Sequence, residues 1–211
     1  MLLAFLTSGI VAFGQSDEKA KEILDKMSDK YQRIPSYRVN FVYAMSNKVE
    51  NIQEEYSGEI WVKGKKFKLI VGDQEVINDG EIVWTYFKDV NEVNIDYYVP
   101  EDGDMTPVTM YNEYKTGYKY LFVEDKKSGA RNLSVVELQP EQGTEQFEEL
   151  IKIKLEIDKA NNTLSAMQIF DRSGSIYTYS MSGFNTQSAI SESMFNFDTS
   201  KYPGIEVVDL R

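Results

Sequence analysis

The sequence predicts a mainly β protein: an incomplete antiparallel β-barrel of about 10 or 11 strands with a helical lid over a hydrophobic cavity. Residues 56–98 alternate apolar and polar side chains, which is the period of a sheet with one apolar face. Turn residues separate these runs, as at Gly72-Asp73 and at Asn78-Asp79-Gly80. The 211 residues, 42% of them hydrophobic, are enough for the core of one domain.

The N-terminus begins with an apolar run, Met1 to Phe13, that is too short to span a bilayer. Ala12-Phe13-Gly14 has the small-x-small form of a signal-peptidase site, although basic residues are missing before the run. We therefore predict a signal peptide at residues 1–14 and one domain at residues 15–211. A buried N-terminal strand or helix is the alternative reading.

An amphipathic helix is predicted from Ser16 to Ile34, before Pro35. Pro107 is predicted to open a second, short helical segment. The apolar side chains of these two segments are expected to form the lid: Ile23, Leu24, Met27, Tyr31, Val108 and Tyr111.

Alternating runs on both sides of the second helical segment are predicted to be strands. They lie at residues 37–43, 56–63, 66–71, 76–87, 93–98, 119–123, 133–138, 151–158, 163–170, 175–184 and 194–197. One apolar face of the first strands is expected to line the cavity, at Val39, Phe41, Ile60, Val62, Phe67, Leu69, Val71, Trp84, Tyr86, Val93 and Ile95. The alternative is that these side chains simply fill the interior.

Charge and composition limit the classes of function that this chain could have. The net charge of −11 argues against a nucleic-acid partner, which would require a basic surface. The chain has no Cys and no His, so thiol chemistry is excluded and the commonest general base and metal ligand are missing. Asp102-Gly103-Asp104 lacks the remaining ligand positions of a calcium loop. We expect no cofactor, no metal site and no catalytic residue.

An ordered set of motifs resembles the outer-membrane lipoprotein carrier family, the LolA-like periplasmic chaperones. The motifs are Gly58-Glu-Ile-Trp-Val-Lys63, Phe67-Lys-Leu69, Asn78-Asp-Gly80, Ile82-Val-Trp-Thr-Tyr86, Thr106-Pro107, Phe195-Asn-Phe197 and Pro203-Gly-Ile-Glu-Val. The resemblance implies a periplasmic monomer that binds the acyl chains of a lipoprotein cargo. It also implies an inner-membrane lipoprotein-releasing ABC transporter and an outer-membrane acceptor as partners.

One position departs from that family, which often places an Arg after the Trp-Val-Lys segment as a latch between sheet and lid. This chain has Gly64 there, and Arg38 is a candidate substitute. Two other functions stay open. The same fold could act as a lipid-binding sensor or envelope-stress module, and an enzyme working with carboxylates alone is the least supported alternative.

Overall fold

The computed structural model describes residues 11–99, 108–109, 111–187 and 189–211. Helix α1 spans Val11–Arg33, and α2 spans Glu145–Glu149. The strands are β1 (Ser36–Asn47), β2 (Ile52–Lys63), β3 (Lys66–Val71), β4 (Gln74–Asn78), β5 (Ile82–Phe87), β6 (Glu92–Tyr97), β7 (Tyr118–Ser128), β8 (Arg131–Pro140), β9 (Leu150–Asp158), β10 (Thr163–Asp171), β11 (Ser175–Asn185) and β12 (Glu206–Asp209).

Twelve strands form one sheet in the order β12-β6-β5-β4-β3-β2-β1-β11-β10-β9-β8-β7. Neighbouring strands are antiparallel except β12, which pairs parallel to β6. The outermost strands, β12 and β7, do not pair with each other, so the sheet is open and not a closed barrel. The predicted incomplete β-barrel is confirmed, with β12 as the strand that the sequence pattern missed.

The turns follow the residues that favour them. Gly72 has φ of 54° in the β3–β4 turn and Asn162 has φ of 55° in the β9–β10 turn. Gly and Asn tolerate this left-handed conformation better than other residues do. The hairpins therefore form where the sequence predicts them.

Helix α1 packs on one face of the sheet, which we call the inner face. Its buried side chains Ala20, Leu24 and Met27 share a core with strands β8, β9 and β10. In the described part of the chain, no helix has the length and apolarity needed to cross a membrane.

The C-terminal segment covers the opposite, outer face of β4–β6. The strand predicted at residues 194–197 is wrong, because Glu192–Phe195 forms a 3-10 helix. Ser191 caps it by accepting a hydrogen bond from the Ser193 backbone N–H at 3.3 Å. Phe197 then packs into a core with Trp84 and Tyr86.

Candidate functional site

A cavity of about 620 Å³ lies on the inner face beside the C-terminal end of α1. Strands from both halves of the sheet contribute its mostly apolar and aromatic walls. The lining consists of Tyr31, Tyr37, Val39, Phe41, Tyr43, Tyr56, Ile60, Leu69, Val71, Gly72, Asp73, Gln74, Phe87, Asp89, Leu164, Met167, Ile169, Tyr179 and Met181.

The two ends of the cavity differ. At one end, which we call the mouth, lie the exposed turn residues Asp73 and Asp89 and the 43%-exposed ring of Tyr56. At the other, which we call the deep end, lie Tyr31 and the buried Leu164. A long apolar molecule would therefore enter beside the β3–β4 turn and point toward α1.

The structure places some predicted site residues in the lining: Val39, Phe41, Ile60, Leu69, Val71 and the lid residue Tyr31. Val62 and Phe67 share the inner face and are buried in one core with Tyr37, but they are not among the lining residues. The role of all these residues in binding stays a prediction.

Four predicted lining residues lie on the other side of the sheet: Trp84, Tyr86, Val93 and Ile95. They pack against Phe197 beneath the C-terminal segment. Phe87, the next residue after Tyr86, reaches the cavity instead. Strand β5 is apolar on both faces, so alternation alone could not show which face is the inner one.

The predicted lid helix packs into the core through one buried face. Leu24 is fully buried and Met27 is 2% exposed, both packed against β8–β10, and Ile23 packs at the edge of the same cluster. This half of the inner face is covered by the helix, and the cavity occupies the half that the helix leaves free. The structure thus places Leu24 and Met27 away from the mouth, and the lid role of this stripe stays a prediction.

The second predicted lid segment is described only in part. Val108 packs against the core around Tyr37, and the ring of Tyr111 stacks on Tyr31 at 5.5 Å between centroids. Asn112 Oδ1 accepts a hydrogen bond from Ser28 at 2.7 Å, which joins this segment to α1. Residues 100–107 and 110 lie outside the described residues.

No arginine replaces the family latch at the expected place. Arg38 pairs with Glu59 and lies over the ring of Trp61, on the outer face. Gly64 instead donates its backbone N–H to the carbonyl of Pro35 at 3.2 Å. Its φ of 59° suits glycine, and the contact joins the β2–β3 turn to the chain just after α1.

Sequence reasoning missed the part of the cavity wall that β10 and β11 supply. Leu164, Met167 and Ile169 on β10, with Tyr179 and Met181 on β11, complete the lining. Their alternation along two predicted strands was a usable signal. The pairing of β11 with β1, which brings them beside Phe41 and Tyr43, is a long-range contact that no local pattern encodes.

The lining is electrically neutral away from the mouth. The phenols of Tyr37, Tyr43 and Tyr179 are uncharged at neutral pH, as tyrosine normally is. Burial raises the pKa of Tyr37 well above its usual value and also raises the pKa values of Tyr43 and Tyr179, which extends the neutral range to higher pH. Within the described ranges, no group of three or more Asp or Glu side chains is placed to hold a metal ion. The arrangement can bind an apolar chain, and the charges that border it are the carboxylates of Asp73 and Asp89.

An open twelve-stranded sheet, a helix on its inner face and an apolar cavity beside that helix form an arrangement that suits the binding of apolar ligands. Residues 10–142 match the family described as outer membrane lipoprotein carrier protein LolA. The chain therefore belongs to the LolA-like outer membrane lipoprotein carrier family. No curated protein matches it in sequence.

Two solved structures with low sequence identity, MucB and LprF, share the fold. MucB superposes with a TM-score of 0.56 at 16% identity, over 90% of this chain and 66% of MucB. LprF from Mycobacterium bovis gives 0.50 at 12% identity, over 82% of this chain and 96% of LprF. A LolA superfamily protein from Nitrosomonas europaea gives 0.44 at 12% identity, over 84% and 97% of the two chains.

Proposed function

We propose that this protein is a periplasmic chaperone that binds the acyl chains of lipoproteins and carries them from the inner to the outer membrane. The observation that carries this proposal is the apolar cavity of about 620 Å³ with one end open beside exposed turns. Cavities of roughly 300–1,000 Å³ are the usual size for small-ligand sites. Membership of the lipoprotein carrier family supports the same cargo class.

The energetics of the cavity suit a carrier. Each methylene transferred from water into an apolar site contributes about 0.8 kcal/mol, so an acyl chain gains binding energy without any reaction. Met167 and Met181 in the wall are flexible and polarisable, which lets the wall adapt to different chains. We therefore assign the protein a binding role and no enzymatic activity.

The remaining parts of the proposal concern the cell. Residues 1–14 would direct export and be removed, leaving residues 15–211 as one carrier domain in the periplasm. An inner-membrane ABC transporter would load the cargo, and an outer-membrane acceptor would receive it. The carrier would work as a monomer, because one chain supplies the whole cavity wall.

The direct test is binding of a synthetic triacylated lipopeptide to the purified protein, with lipid mass spectrometry of what co-purifies from the periplasm. Leu69→Glu places a carboxylate on the apolar wall, where it lacks a partner, and should weaken lipopeptide binding at least tenfold. Val49→Glu is the matched control, since Val49 is 86% exposed in the β1–β2 turn and is not among the lining residues. Circular dichroism checks that both variants fold.

Three results would overturn the carrier proposal. One is wild-type protein that binds no lipopeptide, and another is a folded Leu69→Glu variant that binds as wild type does. The third is a protein that binds an envelope protein but no acylated molecule, which would favour the sensor function.

A further inference from the structure

Tyr31 stands between the cavity and a second, smaller void. The second void measures about 20 Å³ and lies between α1 and strands β8–β10. It is lined by apolar and aromatic groups that include Leu138 and Leu155. Three residues border both spaces: Tyr31, Leu164 and Met167. These three side chains, which we call the partition, close the deep end of the cavity.

The ring of Tyr31 is held in place from several directions. It stacks on Tyr111 with 7° between the ring planes, and it meets Tyr37 and Phe184 edge-on at centroid distances of 5.4 and 5.7 Å. Aromatic pairs of this geometry each add about 0.5–1.5 kcal/mol beyond simple burial. Within the partition, the ring of Tyr31 is therefore held by three other aromatic rings, whereas the side chains at the mouth are exposed.

The hydroxyl group of Tyr31 adds a polar anchor. It accepts a hydrogen bond from the backbone N–H of Leu164 at 3.1 Å. Leu164 lies just beyond the last paired residues of β10 and β11, Ala166 and Ser180. This hydrogen bond therefore joins the C-terminal turn of α1 to the start of β10 at the deep end of the cavity.

We propose that Tyr31 sets the maximum length of the acyl chain that the cavity accepts. This rests on the proposed function. The terminal methyl group of a bound chain stops at the Tyr31 ring, because the space beyond it is closed by the partition. In a chain that is too long, the methylenes nearest the head group stay at the mouth, in water and near the carboxylates of Asp73 and Asp89.

The expected signature is a plateau in affinity. Up to the limit, each added methylene strengthens binding about fourfold, which corresponds to about 0.8 kcal/mol. Past the limit, the added methylenes stay outside and the affinity stops rising. Tyr31→Ala removes the ring and joins the two voids. The affinity plateau of this variant should therefore begin at chains about two methylenes longer. The variant should bind those longer chains about 15-fold more tightly than the wild-type protein does.

The experiment uses uncharged monoacylglycerols of increasing chain length, which displace a dansyl-labelled fatty acid from the full chain. Tyr31→Phe keeps the ring and should keep the wild-type plateau. Tyr43→Ala is the matched control, because it removes a tyrosine ring from the lining near the mouth and leaves the partition intact. Met167→Ala thins the same partition and supplies a second test if Tyr31→Ala does not fold.

The outcomes separate this inference from the proposed function. Wild-type protein that binds none of the monoacylglycerols and no lipopeptide overturns both. Wild-type protein that binds them, with the same plateau in folded Tyr31→Ala and Met167→Ala, overturns the length limit alone. A plateau that moves equally in Tyr43→Ala overturns it too, since any loss of a ring would then be sufficient.

Discussion

Gly58 on β2 lies directly opposite Phe41 on β1, and the aromatic ring of Phe41 covers the space that a Cβ atom at Gly58 would occupy. Phe41 in turn forms part of the cavity wall. The missing side chain at one position thus allows the aromatic side chain at the other to lie flat against the sheet. Glycine is required there for close approach and not for an unusual φ.

Gly58→Ala should therefore move the Phe41 ring or separate the two strands. We expect a loss of about 1–3 kcal/mol in the free energy of unfolding and weaker binding of an acyl probe. Denaturant unfolding and probe titration measure the two effects. Ser57→Ala, at the neighbouring exposed position, should change neither. Phe41→Leu should restore only part of the lost stability, because the added Cβ would also lie 2.7 Å from the backbone carbonyl oxygen of Ile70. If Phe41→Leu restores none of it, the overlap with the ring is not a cause.

Leu24→Ala should destabilise the whole protein, because Leu24 is fully buried between α1 and the sheet. The expected cost is about 2–5 kcal/mol in the free energy of unfolding, the usual range for such a cavity. Lys26→Ala, on the exposed side of the same helix, should cost less than about 0.5 kcal/mol.

Hydrogen exchange supplies the second measurement on α1. Amides around Leu24 should be protected as strongly as those of the central strands, with and without lipid. Fast exchange of these amides in the absence of lipid would contradict the expectation that α1 stays packed on the sheet, and it would favour the lid interpretation.

Stability should fall at alkaline pH. Burial raises the pKa of Tyr31 to about 12, although its hydrogen bond from Leu164 opposes the shift. Above about pH 10 the unfolded chain loses the phenol proton while the folded protein keeps it, so folding becomes less favourable as pH rises toward about 12. Denaturant unfolding in steps from about pH 8 to about pH 11 measures the slope. Tyr31→Phe should have a shallower slope, and an identical slope would exclude Tyr31 as a source.

Phe197→Ala should test the outer-face core separately from the cavity. Phe197 stacks on Tyr202 at 4.6 Å between centroids and lies 5.3 Å from Tyr86. Its loss should cost about 3–5 kcal/mol of stability. Binding of an acyl probe by the folded fraction should persist, because this core lies on the face away from the cavity. Leu210→Ala, 59% exposed, serves as the control, and lost binding by folded Phe197→Ala would contradict the separation.

Part of the candidate site could be predicted from sequence. Val39, Phe41, Ile60, Leu69 and Val71 share one face of consecutive hairpins, and local alternation is sufficient to group them. The opposite wall could not be grouped with them, since it depends on the pairing of β1 with β11, which are distant in sequence.

By itself, the sequence determined where most strands and turns lie. Period-two alternation and turn residues such as Gly72 and Asn162 act over a few residues, and they specify local backbone geometry. The tertiary structure decided which apolar face became the cavity. Trp84 and Phe87 lie on opposite faces of β5. The C-terminal segment packs on the face of Trp84, which makes that side chain part of a core, and the strands that pair at long range leave Phe87 on the face of the cavity.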